Sequence, residues 1–348
     1  MFQRPLRLLP LLPRLLLPLL LVGLGLTACA TPPAPRSAPP SFWPYWGDGL
    51  AELNGYRIIQ PRYGELRSGQ AVLIFVTETF SASARVKADP GKHPPSDEFP
   101  VLKLNSARQF QTGIYQYNLL TSVFALVDGR QMSGGIFQPG DLTKLSFSSQ
   151  EWCGHVFDEL RFEGDHIQSL RLSYFDGEGT ERRDIPRPVN GITADELPIR
   201  LRQLLGDFPL ATGTKGGPVT LPYLPSLTWA RLQHKPLEWT SATLEPAAAP
   251  ETVTVPAGRF EVTRWQVKPL VGPASTWWVE VAYPHHIVRW QADDGEVGEL
   301  TGFARKPYWK LHAQGDEQEL KDLGLSPLSI GASASPATEP PAPTTPSP

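Results

Sequence analysis

Apolar and polar residues alternate with a period of two along most of the middle of this chain, the spacing of strands that bury one face. Residues 70–80 (QAVLIFVTETF) predict a strand buried through its middle. Residues 144–149 alternate with Leu145 and Phe147 on one side, and Leu170, Leu172 and Tyr174 alternate before an Asp176-Gly177 stop. Residues 252–267 predict two strands around the turn Pro256-Ala257-Gly258. Residues 276–283 place Trp277, Val279, Val281 and Tyr283 on one face. Residues 286–291 and 296–303 flank Asp293-Asp294-Gly295, which predicts a hairpin.

One stretch departs from this period. Thr193-Ala194-Asp195-Glu196 fits a capping box, and Leu197, Leu201, Leu204 and Leu205 follow at helical spacing before Gly206. Pro198 falls in the first turn, where proline is tolerated. The prediction is a mainly β protein: a curved antiparallel sheet, half-barrel or sandwich. It has an N-terminal β-rich domain over 42–190 and a C-terminal one over 191–325 that opens with this helix.

The ends read differently. Residues 1–28 carry Arg4 and Arg7 and then an apolar run from Leu15 to Leu26, the pattern of an export signal. Pro10, Pro13, Arg14 and Pro18 break the run, which argues against a membrane-spanning helix. Leu26-Thr27-Ala28-Cys29 resembles a bacterial lipobox, which implies cleavage before Cys29 and acylation of its thiol. Each buried methylene of such chains contributes about 0.8 kcal/mol, so several chains would hold the protein on a bilayer. Ala30 stands where an aspartate would imply inner-membrane retention, so the expected address is the outer membrane, on its periplasmic face. The Pro-rich segment through residue 41 (ATPPAPRSAPPS) reads as a tether reaching on the order of 35 Å, and 326–348 as a disordered tail.

Composition narrows the function. The net charge is −3, and removing 1–28, with three arginines and no acid, makes the chain more acidic still. That speaks against a nucleic-acid partner, whose phosphates need a basic surface. Charged residues are only 19% and hydrophobic residues 41%, enough to fill a core. There are two cysteines; with Cys29 spent on lipid, Cys153 has no partner for an intrachain disulfide.

Several stretches resemble a family of uncharacterised bacterial envelope proteins: 49–56 (GLAELNGY), 62–65 (RYGE), 72–78 (VLIFVTE), 101–105 (VLKLN), 112–115 (TGIY) and 149–157 (SQEWCGHVF). The resemblance spans roughly 45–175; 253–260 (VTVPAGRF) and 276–278 (TWW) look like β-sheet halves of other bacterial families of unknown function. It implies a β-rich fold in the envelope and assigns no catalytic residue. Members sometimes carry the label "septum formation inhibitor Maf"; the Maf pyrophosphatases are cytoplasmic α/β proteins, and neither their signature nor a phosphate-cradling glycine loop occurs here.

The densest reactive cluster is Gln150-Glu151-Trp152-Cys153-Gly154-His155. On a strand, Glu151, Cys153 and His155 would share a face, about 7 Å between successive members. One reading makes Cys153 a nucleophile activated by His155 and oriented by Glu151. The other makes Cys153 a small buried residue, with Trp152 and Val156 filling the core. His285-His286 point opposite ways on a strand and offer no metal site. Asp293-Asp294 and Asp195-Glu196 sit at a turn and a helix start, where acids are favoured locally. Trp265, Trp277, Trp278, Trp290 and Trp309 form a stripe that either fills a core or lines a ligand groove, with Trp277, Trp278, Trp290 and Trp309 as the ligand-facing candidates. The basic, aromatic run 306–310 (KPYWK) is too short and isolated to indicate nucleic acid. The sequence thus points to an envelope lipoprotein that binds an apolar ligand or a protein partner, without metal or cofactor. The alternative is an envelope thiol hydrolase or transferase using Cys153 and His155.

Overall fold

A computed structural model describes residues 34–132, 134–206, 208 and 217–327. Cys29, the export signal and the tail from 328 onward lie outside the described residues. Among the described residues, no helix is long and apolar enough to cross a membrane.

A short helix, α1 (Phe42–Trp46), precedes the long strands β1 (Ala51–Arg62), β2 (Glu65–Ser81), β3 (Glu98–Thr112) and β4 (Tyr115–Leu126). A small hairpin, β5 (Arg130–Met132) and β6 (Gly135–Phe137), leads to β7 (Leu142–Glu151), β8 (Gly154–Phe162), β9 (His166–Ser173) and β10 (Thr180–Pro186). Then come β11 (Ile192–Thr193), a 3-10 turn Ala194–Glu196, α2 (Leu197–Arg200), β12 (Val219–Leu224), α3 (Leu227–Leu232) and β13 (Thr240–Pro246). The chain finishes with β14 (Glu251–Val255), β15 (Gly258–Pro269), β16 (Ser275–Glu280), β17 (Ile287–Ala292), β18 (Val297–Lys306) and a 3-10 segment Asp316–Leu323.

All but β5 and β6 belong to one 16-stranded sheet, ordered β10-β9-β8-β7-β4-β3-β2-β1-β18-β17-β16-β15-β13-β12-β11, with β14 on β15. The pairing is antiparallel except between β11 and β12. The two halves expected from the sequence are therefore one sheet. Its seam is β1 against β18, where Ile59 faces Val297 and Tyr56 faces Leu300. A helical break in the sequence pattern does not separate sheets when the first and last strands can pair.

The pleat explains the core. Ala71, Leu73 and Phe75 of β2, Leu145 and Phe147 of β7, and Val262, Trp265 and Val267 of β15 are all buried in one cluster. Leu197, Ile199, Leu201, Leu204 and Leu205, with Leu227 and Leu232 of α3, belong to the same cluster. The helical segment thus plugs the sheet's inner face. It is shorter than predicted: α2 is one turn, and by Gln203 the backbone is left-handed, with φ 53°, which ends the helical run. The capping box is present, with Thr193 accepting from the Glu196 amide and Glu196 accepting from the Thr193 amide.

On the opposite face, Leu323 packs with Ala51, Leu53 and Val76. Gly55 and Gly302 leave room for the 322–324 backbone, which a Cβ at either position would strike.

Three further expectations change. The strand predicted to run to Tyr283 stops at Glu280, and Val281 and Tyr283 are exposed. Leu172 and Tyr174 are exposed rather than facing the core. Residues 34–41 are not a free tether: the Arg36 carbonyl accepts from Gly129 at 2.7 Å, the Ala38 amide donates to Asp128 at 2.9 Å, and Phe42 and Trp46 are fully buried just beyond.

Candidate functional site

A cavity of about 120 Å³ lies between the inner face of the sheet and the helical segments. Leu104 and Arg108 of β3, Val123 of β4, Trp277 of β16 and Trp290 of β17 all line it. Between β3 and β17 in the sheet lie β2, β1 and β18, so both groups meet in one space only because the sheet curls. The segment 194–198 and helix α3 close it from within. Gln233, Val271 and Asp294 line the cavity and are exposed, marking its mouth at α3, the β15–β16 loop and the β17–β18 turn.

The walls are aromatic. Trp265, Trp277 and Trp290 stand opposite one another across β15, β16 and β17. The rings of Trp277 and Trp290 stack at 5.7 Å, and Tyr56 supports Trp290 from behind at 4.8 Å. Gly298 pairs with Trp290 across β17 and β18 and lies beneath its ring, where a Cβ would collide. The stripe thus does both jobs weighed from the sequence: Trp265 is core, while Trp277 and Trp290 are core side chains with an edge on the cavity. Trp278 points to the other face, donating to Glu251 with Arg289 over its ring. Trp309 is 47% exposed on a 3-10 turn away from the cavity.

The polar end is made by three elements. Arg108 pairs with Glu296 at 2.8 Å, and Trp290 donates its indole N–H to the same Glu296 oxygen at 2.8 Å. Asp195 accepts from the Leu227 amide at 2.9 Å, which ties the 3-10 turn to the start of α3. Burial pushes the Asp195 carboxyl up to about 7; Glu196 and Glu296 add to the rise, while the Leu227 amide and Arg108 oppose it. Arg62 fixes α3 from the sheet by donating to the Leu232 carbonyl at 2.6 Å, where the helix leaves acceptors unpaired.

A second polar cluster lies at the other end of β1. Glu52, Arg202 and His286 are all buried, with Arg202 to Glu52 at 2.8 Å and His286 to Glu280 at 2.7 Å. Burial alone would raise the Glu52 carboxyl, but Arg202, then His286 and Asn54, bring it below its ordinary value. Its charges are matched at contact distance, so it reads as a fastening between the 197–205 segment and the sheet. The His285-His286 pair lies just after the β16–β17 turn, as expected. Among the described residues, no group of three His, Cys, Asp or Glu side chains could hold a metal ion.

The cysteine cluster is not a strand. Glu151 pairs with Gly154, so Trp152 and Cys153 are the two-residue turn of the β7–β8 hairpin. Cys153 and His155 are exposed, and Trp152 is 74% exposed, so neither Cys153 nor Trp152 is core. Val156 is buried as expected. The Cys153 amide donates to the Glu151 carboxylate at 2.6 Å, and that carboxylate pushes the Cys153 thiol up, the reverse of nucleophile activation.

Arg108, Tyr223 and Trp229 were not singled out from the sequence, and Asp195 was assigned a purely local role. One signal was present: Arg108 occupies an inward position of β3, in phase with Leu104 and Phe110, where alternation demands an apolar residue. Comparison with known proteins supplies no relative, since no family model, curated protein or solved structure matches this chain.

Proposed function

We propose that this chain is an exported lipoprotein, acylated at Cys29, whose curved sheet is a non-catalytic scaffold that takes the apolar body of a small ligand into its interior cavity. The supporting observation is the cavity itself. Protein interiors are close-packed, and this one leaves a space of about 120 Å³ beside Trp277 and Trp290. A largely apolar concavity with a few convergent polar groups is the form binding sites take. Two β-rich halves acting as one sheet system give such a site rigid walls.

The anchor reading fits the way the body begins. The segment around Arg36 and Ala38 is fastened to residues 128–138, beyond the end of β4, whereas the cavity mouth lies at the other end of the strands. Four residues separate Cys29 from Ala34, so the five steps between them reach about 17 Å at most.

Ligand-detected NMR with benzyl alcohol tests the binding reading. The native protein should bind the probe, and Thr121→Phe, which fills the cavity from β4, should lose binding while melting as a folded protein. Equal binding by both proteins, or by neither, overturns it. Cys153→Ser should leave binding unchanged; loss of a native activity in that variant would favour the thiol hydrolase or transferase. For the anchor, Cys29→Ser should release the protein from the membrane fraction, and unchanged fractionation and mature mass would refute acylation.

A further inference from the structure

Four aromatic residues line the cavity: Tyr223, Trp229, Trp277 and Trp290. The ionisable side chains among its lining are unequal in sign, with Asp195, Asp294 and Glu296 against Arg108. Arg108 is already neutralised by Glu296, which is further held by the Trp290 indole. Asp294 accepts from the Glu296 amide at the exposed mouth. That leaves Asp195. Its Oδ2 takes the Leu227 amide. Among the described residues, no hydrogen bond reaches Oδ1, and Asp195 lines the cavity. A carboxylate oxygen without a donor, in a space walled by indole rings, is complemented best by a cationic donor that carries an apolar body.

We infer that the cavity is selective for organic cations, with an ammonium group set against Asp195 and an apolar body against Trp277 and Trp290. This rests on the binding reading above and names its ligand class. The contrast with Glu52 supports it: there Arg202 supplies the counter-charge from within the chain, and here none of the described residues does so at contact distance for Asp195. Five groups act on the Asp195 carboxyl. They are Glu196 on its own turn, the Leu227 amide of α3, Arg108 from β3, Glu296 from the β17–β18 turn, and the Tyr223 phenol from β12; Asp294 lines the same cavity. Burial keeps this carboxyl about half protonated near neutrality, so a cation should bind better as pH rises from 6 to 8.

The test compares three probes built on one benzyl group by calorimetry: benzylammonium, benzyl alcohol and phenylmethanesulfonate. At pH 8 the cation should bind about tenfold tighter than the alcohol, with the sulfonate weakest. Its affinity should fall severalfold at pH 6, following the ionised fraction of a group titrating near 7. In Asp195→Asn, both the cation's advantage and its pH dependence should vanish. Equal affinity for cation and alcohol at both pH values refutes the cation inference and leaves the cavity reading standing. Preference for the sulfonate refutes it and assigns recognition to Arg108. Failure of all three probes overturns both readings. The three-probe comparison on the native protein decides the matter even if the Asp195 variant fails to fold.

Discussion

Arg202→Met removes the cation from the best-enclosed ion pair among the described residues. Glu52 and Arg202 are 0% and 1% exposed, and two guanidinium nitrogens meet the carboxylate at 2.8 and 3.0 Å. The same group donates to the Pro284 carbonyl at 2.9 Å and lies over Phe75 at 4.4 Å. Methionine keeps most of the apolar contact and removes only the charge and its donors. Stranding a buried carboxylate in this way costs about 3–5 kcal/mol. For a body of roughly 290 residues the unfolding entropy is about 0.6 kcal/mol per kelvin, so the melting temperature should fall by about 5–8 °C.

The pH dependence gives a sharper check. In the native protein the Glu52 carboxyl lies below its ordinary value, so its contribution is present above the unfolded-state pKa and is lost as pH falls through the folded-state value. Without Arg202, burial lifts the folded value above the unfolded one. The variant's stability should then fall as pH rises from about 4, so its deficit is larger at pH 8 than at pH 4. Adding Glu52→Gln should recover part of the loss, a coupling of about 2 kcal/mol. Thermal and urea melts at the two pH values measure all of this. A deficit below 1 kcal/mol at pH 8, or no recovery in the double variant, would refute the fastening role.

Other consequences are open to simple measurement. Thr193→Ala removes the acceptor for the Glu196 amide at 3.3 Å and should cost about 0.5–2 kcal/mol in a urea melt. Gly298→Ala forces a methyl group into the Trp290 ring, so it should destabilise by about 1–3 kcal/mol, alter the tryptophan emission and weaken benzyl alcohol binding. Asp195 has a raised carboxyl pKa; its stabilising contribution is complete below about pH 4 and lost as pH rises through about 7, so Asp195→Asn should flatten that part of the stability profile. Cys153 should react with a thiol reagent in the folded protein because it is exposed, but more slowly than an unperturbed thiol at the same pH, because Glu151 raises its pKa. Labelling only after denaturation would contradict the hairpin placement.

The β character was legible wherever one face of a strand is buried, because alternation is then enforced by burial. Leu145 and Phe147 illustrate this, and so does the 287–306 hairpin around its Asp-Asp-Gly turn. It failed where the pattern continued past the core: Leu172 and Tyr174 alternate correctly but lie near the sheet's β10 edge, with nothing to cover them. The cysteine cluster failed for a different reason. Two residues between paired strand ends look like strand in a polarity pattern, and only the Glu151–Gly154 register reveals the turn. The tryptophan stripe marked the right wall of the cavity, but the opposite wall on β3 and β4 is more than 150 residues away in sequence and needed the curl of the sheet to arrive.

That curl also explains why one sequence pair acquired two roles. Asp195 and Glu196 are adjacent acids at a helix start, and a local account treats them alike. Glu196 spends its carboxylate locally, on the Thr193 amide and on Arg200 at 3.1 Å. Asp195 points the other way, toward α3 and the space between β3 and β17, because successive side chains on a tight turn diverge. The two ends of the segment therefore serve different clusters: Ala194, Asp195, Leu197 and Pro198 line the cavity, while Arg202 at the far end closes on Glu52.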